Sequence, residues 1–154
     1  MGWSEEMGVH SIKLRVNVHA TEDEEKVRKA LLEAIPEEYR SKVRIEREEY
    51  TGHYGNPILV LSINVENPDE SEKILNYILS KLDRVDKTML AASLEERVDK
   101  EGSLYFRLSK QDALQGRLTI YESDDVIRVK VGYSGRRKRA LHDYERRLRS
   151  GGGE

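Results

Sequence analysis

The stretch HSIKLRVNVHA, residues 10–20, decides the fold. Ile12, Leu14, Val16, Val18 and Ala20 alternate with Ser11, Lys13, Arg15, Asn17 and His19. Successive strand side chains point to opposite faces, so this period of two predicts a half-buried strand with one apolar and one polar, basic face. Thr21 opens a helix immediately afterwards, because its hydroxyl and the Glu24 side chain match a capping box. Val27, Ala30, Leu31 and Ala34 share one helical face, and Pro36 stops the run. A strand with one covered face that feeds an amphipathic helix points to an α+β layer.

The elements on either side extend this pattern. Residues 42–50 read as a polar strand with Val43 and Ile45 inward, residues 51–57 as a loop with two glycines and a proline, and residues 58–65 as the most apolar, hence central, strand. Asn67-Pro68-Asp69-Glu70 is a helix start of cap, first-turn proline and acid. Ile74, Leu75, Ile78 and Leu82 are its buried face. Residues 90–98 and 104–108 read as strands joined by a turn at 99–102. Residues 109–115 read as one helical turn, ended by Gly116 in the left-handed conformation. Residues 118–121 and 126–133 predict a last hairpin, and 136–149 a basic helix. The order β-α-β-β-α-β-β-β-β-α predicts a two-layer α+β sandwich: a mainly antiparallel sheet of six to seven strands, with helices on one face. The expected organisation is a flexible N-terminus over 1–9, an α+β domain over 10–135, the basic helix and a flexible tail over 150–154.

The 154 residues hold 37% hydrophobic and 36% charged side chains, with 27 basic against 29 acidic groups. That suits one folded domain and argues against disorder by self-repulsion. The charge is uneven: residues 136–154 hold 7 basic and 3 acidic groups, and the remainder 20 and 26. A basic appendage on an acidic body can contact phosphates. The chain has no cysteine, which excludes disulfides, thiolate zinc sites and a cysteine nucleophile and fits a cytoplasmic setting. The opening residues lack a signal-peptide pattern, and no apolar run is long enough to span a bilayer.

No phosphate-binding loop or dinucleotide fingerprint is present, and His10, His19, His53 and His142 form no metal-spaced pair. No cofactor is expected. On the uncovered sheet face the register predicts Lys13, Arg15, Asn17 and His19 from the first strand, Tyr105 and Arg107 from another, and Arg128 and Lys130 from the last. Cations neutralise phosphates and aromatic rings stack on unpaired bases, as on RNA-binding sheets. The same alternation exposes Glu46, Glu48 and Glu95, which oppose phosphate. Arg136, Arg137, Lys138 and Arg139 cluster at the start of the last helix, where the dipole disfavours them. His53 and Tyr54 occupy a glycine-bounded loop of a kind that can hold a general base or contact a nucleotide, although turn geometry alone more often accounts for such glycines.

Four segments carry a resemblance: VHSIKLRVNVHATEDEEKV (9–27), TGHYGNPI (51–58), RVDKEGSLYFRLSKQ (97–111) and DDVIRVKV (124–131). Together, in this order, they resemble the archaeal family of predicted RNA-binding proteins described as a predicted exosome subunit. The resemblance implies a two-layer fold like that of the ribosomal protein that binds 5S RNA. It also implies association with RNA and with the exosome.

These readings converge on a non-catalytic RNA-binding protein, an accessory subunit of the exosome or another RNA-processing complex. Its expected contacts are Lys13, Arg15, His53, Tyr54, Arg107, Lys110, Arg128, Lys130, Arg136, Arg137, Lys138 and Arg139, with Tyr54 stacking on or bonding to a base. Two alternatives stay open: an assembly subunit that binds protein and not RNA, and a metal-dependent ribonuclease using Asp124 and Asp125. An exposed edge strand would support a homodimer.

Overall fold

A computed structural model describes residues 7–151. Among these residues one antiparallel sheet carries five strands: β1 (Gly8–Val18), β2 (Ile45–Thr51), β3 (Pro57–Val65), β4 (Leu104–Ser109) and β5 (Val126–Ser134). Their spatial order is β2-β3-β1-β5-β4. Six α-helices accompany them: α1 (Glu24–Glu33), α2 (Pro68–Lys81), α3 (Arg84–Ala92), α4 (Leu94–Arg97), α5 (Lys110–Leu114) and α6 (Arg137–Gly151).

β1 lies at the centre because it is apolar on one face and can pair on both edges. Ile12, Leu14, Val16 and Val18 are buried, and α1 and α2 pack on β1. Leu61 and Ile63 of β3, Phe106 and Leu108 of β4, and Ile127, Val129 and Val131 of β5 extend the same core. α6 closes the helix layer against α2, α3 and α4. Its buried Tyr144 packs edge-on against Tyr133 at 5.7 Å and donates a hydrogen bond to Gly102 O at 2.7 Å.

Several local expectations hold in the residues that make them. Asn67 caps α2 by accepting from Glu70 N at 3.0 Å, with Pro68 in the first turn. Gly116 adopts φ +82° after α5. α1, however, starts two residues late. Thr21 sits in a turn that Glu22 N closes onto His19 O at 2.9 Å, and Asp23 caps the helix by accepting from Glu25 N.

Two expected strands are not strands. Residues 90–97 fall in α3 and α4, joined at Ser93, and Val98 makes only a single bridge to Leu104. Leu90, Leu94 and Val98 are all buried, and their spacing of four is helical, although alternate residues of the segment also mimic a strand. Asp83 starts this helical run by accepting from Asp86 N at 2.8 Å. Residues 118–121 make only a single bridge, Ile120 to Leu108. Ile120 N donates to Asp86 Oδ2 instead of continuing a ladder. The sheet therefore has five strands rather than six or seven.

The expected flexible ends shrink as well. Gly8 and Val9 already belong to β1, paired with Ser134 and Tyr133, and α6 runs through 150 and 151. The rest of those expectations, residues 1–6 and 152–154, lies outside the described residues.

Candidate nucleic-acid interface

With the helices on one face, the alternate residues of each strand make up the other. At one level across the sheet the pairing aligns Glu46 of β2, Ser62 of β3, Arg15 of β1, Arg128 of β5 and Arg107 of β4. At the next level it aligns Asn64, Lys13, Lys130 and Tyr105. Adjacent strands lie about 4.8 Å apart, and same-face residues repeat about every 6.8 Å. Five cations are thus gathered on three neighbouring strands.

Like charges side by side are unfavourable, and this face offers little internal relief. Lys13, Arg15 and Arg128 form no ion pair or side-chain hydrogen bond among the described residues. Lys130 Nζ lies over the Tyr105 ring, 5.7 Å from its centroid. Arg107 donates to Ser123 O at 3.1 Å. The nearby acid Asp99 is already engaged. Partial burial opposes its charge, but hydrogen bonds from Ser103 N and the Tyr105 hydroxyl hold its carboxyl below the usual range.

Among the strand residues of the face, the acidic ones are confined to β2. Glu46 and Glu48 point the same way as the cations, and Tyr50 donates to Glu48 at 2.7 Å. That bond pushes the Tyr50 phenol up, with burial adding to it. Glu95 does not join this face. It lies in α4, facing Arg137 at 3.4 Å. The face is therefore polarised, acidic at the β2 edge and cationic from β1 to β4.

Other expected contacts are not assembled with this group. His53 and Tyr54 lie in the β2–β3 loop, with rings 5.4 Å apart and edge-on; Tyr54 is 89% exposed. Arg136, Lys138 and Arg139 are exposed at the start of α6, in the helix layer. Arg137 is spent on docking α6, because it donates to Glu95 O at 3.0 Å and Val98 O at 3.3 Å.

Lys110 requires a correction. Its side chain is fully buried; Nζ lies 2.8 Å from Glu22 Oε1 and 2.6 Å from Asp125 Oδ1 and donates to Asn17 O. It is a core ion pair and not a phosphate contact. The same cluster bears on the ribonuclease alternative, since Asp125 is held by Lys110 and by His19 at 3.1 Å. No group of three or more His, Asp or Glu poised for a metal ion occurs among the described residues. Nor is any helix among them long and apolar enough to cross a membrane.

Three residues near the cationic face escaped the sequence reading: Glu96, Arg97 and Glu122. Arg97 bonds Glu122 at 2.7 Å beside β4. The helical spacing of Leu90, Leu94 and Val98 was the available signal, because it turns residues 94–97 into a helix beside that strand.

Fold and site together define an α+β protein whose uncovered sheet face gathers five cations from β1 to β4. The chain belongs to the family described as RNA binding, whose model matches residues 11–133. It is 39% identical over 123 residues to the RNA-binding protein PAB1135 of Pyrococcus abyssi, covering 79% of this chain and 80% of that one. It is 38% identical to the uncharacterized protein MJ0213 of Methanocaldococcus jannaschii, covering 79% and 82%. The solved structure of Mth689, a DUF54 protein from Methanothermobacter thermautotrophicus, matches with a TM-score of 0.75 at 30% identity, covering 92% of this chain and 98% of that one.

Proposed function

We propose that this chain binds RNA on the open face of its sheet without catalysing a reaction. In this reading it acts in the cytoplasm as an accessory subunit of the exosome or another RNA-processing complex. One observation carries the reading: Arg15, Arg128 and Arg107 line up across β1, β5 and β4, with Lys13 and Lys130 one level along and little carboxylate relief. Phosphates supply the missing counter-charge. The family description and the name of the Pyrococcus relative support the ligand class. The resemblance to predicted exosome subunits supports the setting. Arg136, Lys138 and Arg139 form a second cationic cluster that draws RNA towards the molecule, and His53 and Tyr54 extend the contact beyond the sheet. Among the described residues the outer edge of β2 is unpaired and suits a second copy of the chain, which sedimentation of the purified protein tests.

The test is binding of a short single-stranded RNA to the double variant Arg15→Glu and Arg128→Glu. Among the described residues neither side chain makes an ion pair or side-chain hydrogen bond, so the variant is expected to melt close to the parent. Its RNA affinity is expected to fall at least about tenfold at moderate salt. Unchanged affinity would overturn the reading. Recovery of RNA without any exosome core subunit, when the tagged chain is drawn from its own cells, would remove the accessory-subunit part alone.

A further inference from the structure

The cationic face runs into a cavity at its β4 edge. There α4 and the segment after residue 120 approach each other, joined by the Arg97–Glu122 ion pair. Glu96, Arg97, Tyr105, Arg107, Glu122 and Arg128 line a space of about 430 Å³. That falls within the range of roughly 300–1,000 Å³ typical of small-ligand sites.

The walls differ in chemistry. The Tyr105 ring is held in place, because its hydroxyl donates to Asp99 Oδ2 at 3.0 Å and Lys130 lies over the ring. It gives the cavity a fixed flat surface. Arg107 and Arg128 bring positive charge from the sheet. Glu96 and Glu122 bring carboxylates. Arg97, itself fixed by the Ser93 hydroxyl at 2.7 Å, occupies only Oε2 of Glu122. Oε1 of Glu122 and both carboxylate oxygens of Glu96 accept no hydrogen bond among the described residues.

Two carboxylates repel a phosphate, so phosphate alone does not fit this cavity. A nucleobase fits all three walls. Its face stacks on Tyr105, its N–H groups donate to the carboxylates, and its flanking phosphates meet the arginines. Guanine suits the carboxylates best, because its Watson–Crick edge presents two adjacent N–H donors and a carboxylate accepts two hydrogen bonds side by side. In a duplex that edge is already paired. We propose that this cavity receives one unpaired guanine of a single-stranded RNA, stacked on Tyr105 and read by Glu96 and Glu122. This specificity site rests on the RNA-binding reading of the open face.

The experiment compares the full chain's affinity for a short all-uridine RNA and for the same RNA with one central guanosine. The guanosine RNA is expected to bind about tenfold tighter. Tyr105→Ala, Glu96→Gln and Glu122→Gln should each pull that ratio towards one. Tyr105→Phe keeps the ring and should keep most of the preference, which separates stacking from loss of the Asp99 bond. Equal, salt-sensitive affinity of the parent protein for both RNAs would overturn the guanine site and leave the RNA-binding face standing. Absence of salt-sensitive binding to either RNA would overturn the face, and the site with it.

Discussion

The Lys110 ammonium sits between Asp125 and Glu22, sealed from solvent, while its two partners keep partial access to water. Its third bond, to Asn17 O, ties α5 to the end of β1. Losing the cation would leave the two carboxylates without their shared counter-charge, with only the His19 ring beside Asp125. Lys110→Met is therefore expected to destabilise the fold by about 3 kcal/mol, read as a lower urea midpoint. The cluster also sets an acid limit. Partial burial opposes the Asp125 charge, but the Lys110 hydrogen bond and charge, helped by His19, outweigh it and hold the carboxyl below its ordinary value. Glu24 is lowered likewise, chiefly by its hydrogen bond from Arg47. A carboxyl depressed in the folded state contributes stability that is complete above its unfolded pKa of about 4 and is lost as pH falls through the folded value. Stability should thus hold near neutrality and drop below about pH 4, more steeply in the parent protein than in Lys110→Met. Urea midpoints at several pH values check both the drop and the difference. Equal slopes for the two proteins would detach Lys110 from acid sensitivity.

At the scale of elements, α6 is fastened to the rest of the molecule at a few points. Tyr144 donates to Gly102 O, and burial pushes its phenol up beyond the ordinary range, so it remains a donor at any physiological pH. Tyr144→Phe leaves that carbonyl without its partner and should cost about 1–2 kcal/mol. Gly102 has φ +90°, and a Cβ there would meet the Ala140 side chain at 3.1 Å. Gly102→Ala combines backbone strain with crowding and should cost at least about 1 kcal/mol in thermal melts. Neither contact could be read from the sequence, since each joins residues about forty positions apart. What was legible is what local pattern determines. The alternation of β1 gave its paired faces and, through them, Lys13 and Arg15 as outward residues. Asn67-Pro68 gave the start of α2, and Gly116 the end of α5. The failures share one cause. In residues 90–98 apolar groups fall on both the period of two and the period of four, and only burial of Leu90, Leu94 and Val98 against the core chooses the helix. Lys110 misled because its partners, Glu22 and Asp125, come from distant segments, and isolated spacing reads any lysine as solvated.

For the whole molecule, a formal charge of −2 conceals two separate cationic regions. One is the sheet face, where Lys13, Arg15 and Arg128 make no ion pair or side-chain hydrogen bond among the described residues. The other is the start of α6, where Arg136, Lys138 and Arg139 project from the helix layer. On the proposed reading, one RNA strand lying along the sheet would neutralise the first group directly. The second would then act at longer range, raising the chance of encounter without losing its ions in the complex. The two roles predict different salt behaviour. Each phosphate contact on a single strand contributes a slope of about −0.7 to log affinity against log salt. Replacing Lys13, Arg15 and Arg128 with alanine should therefore flatten that slope by about 2 and weaken binding at every salt concentration. Replacing Arg136, Lys138 and Arg139 should slow association at low salt and leave the slope nearly unchanged. Arg137 is omitted from that set because it holds α6 to α4, so a change there would confuse docking with binding. Anisotropy titrations over a salt series, with stopped-flow association rates, measure both quantities. If the helix triple flattens the slope and the sheet triple does not, the RNA lies on α6 and the open face of the sheet is only a solvated surface.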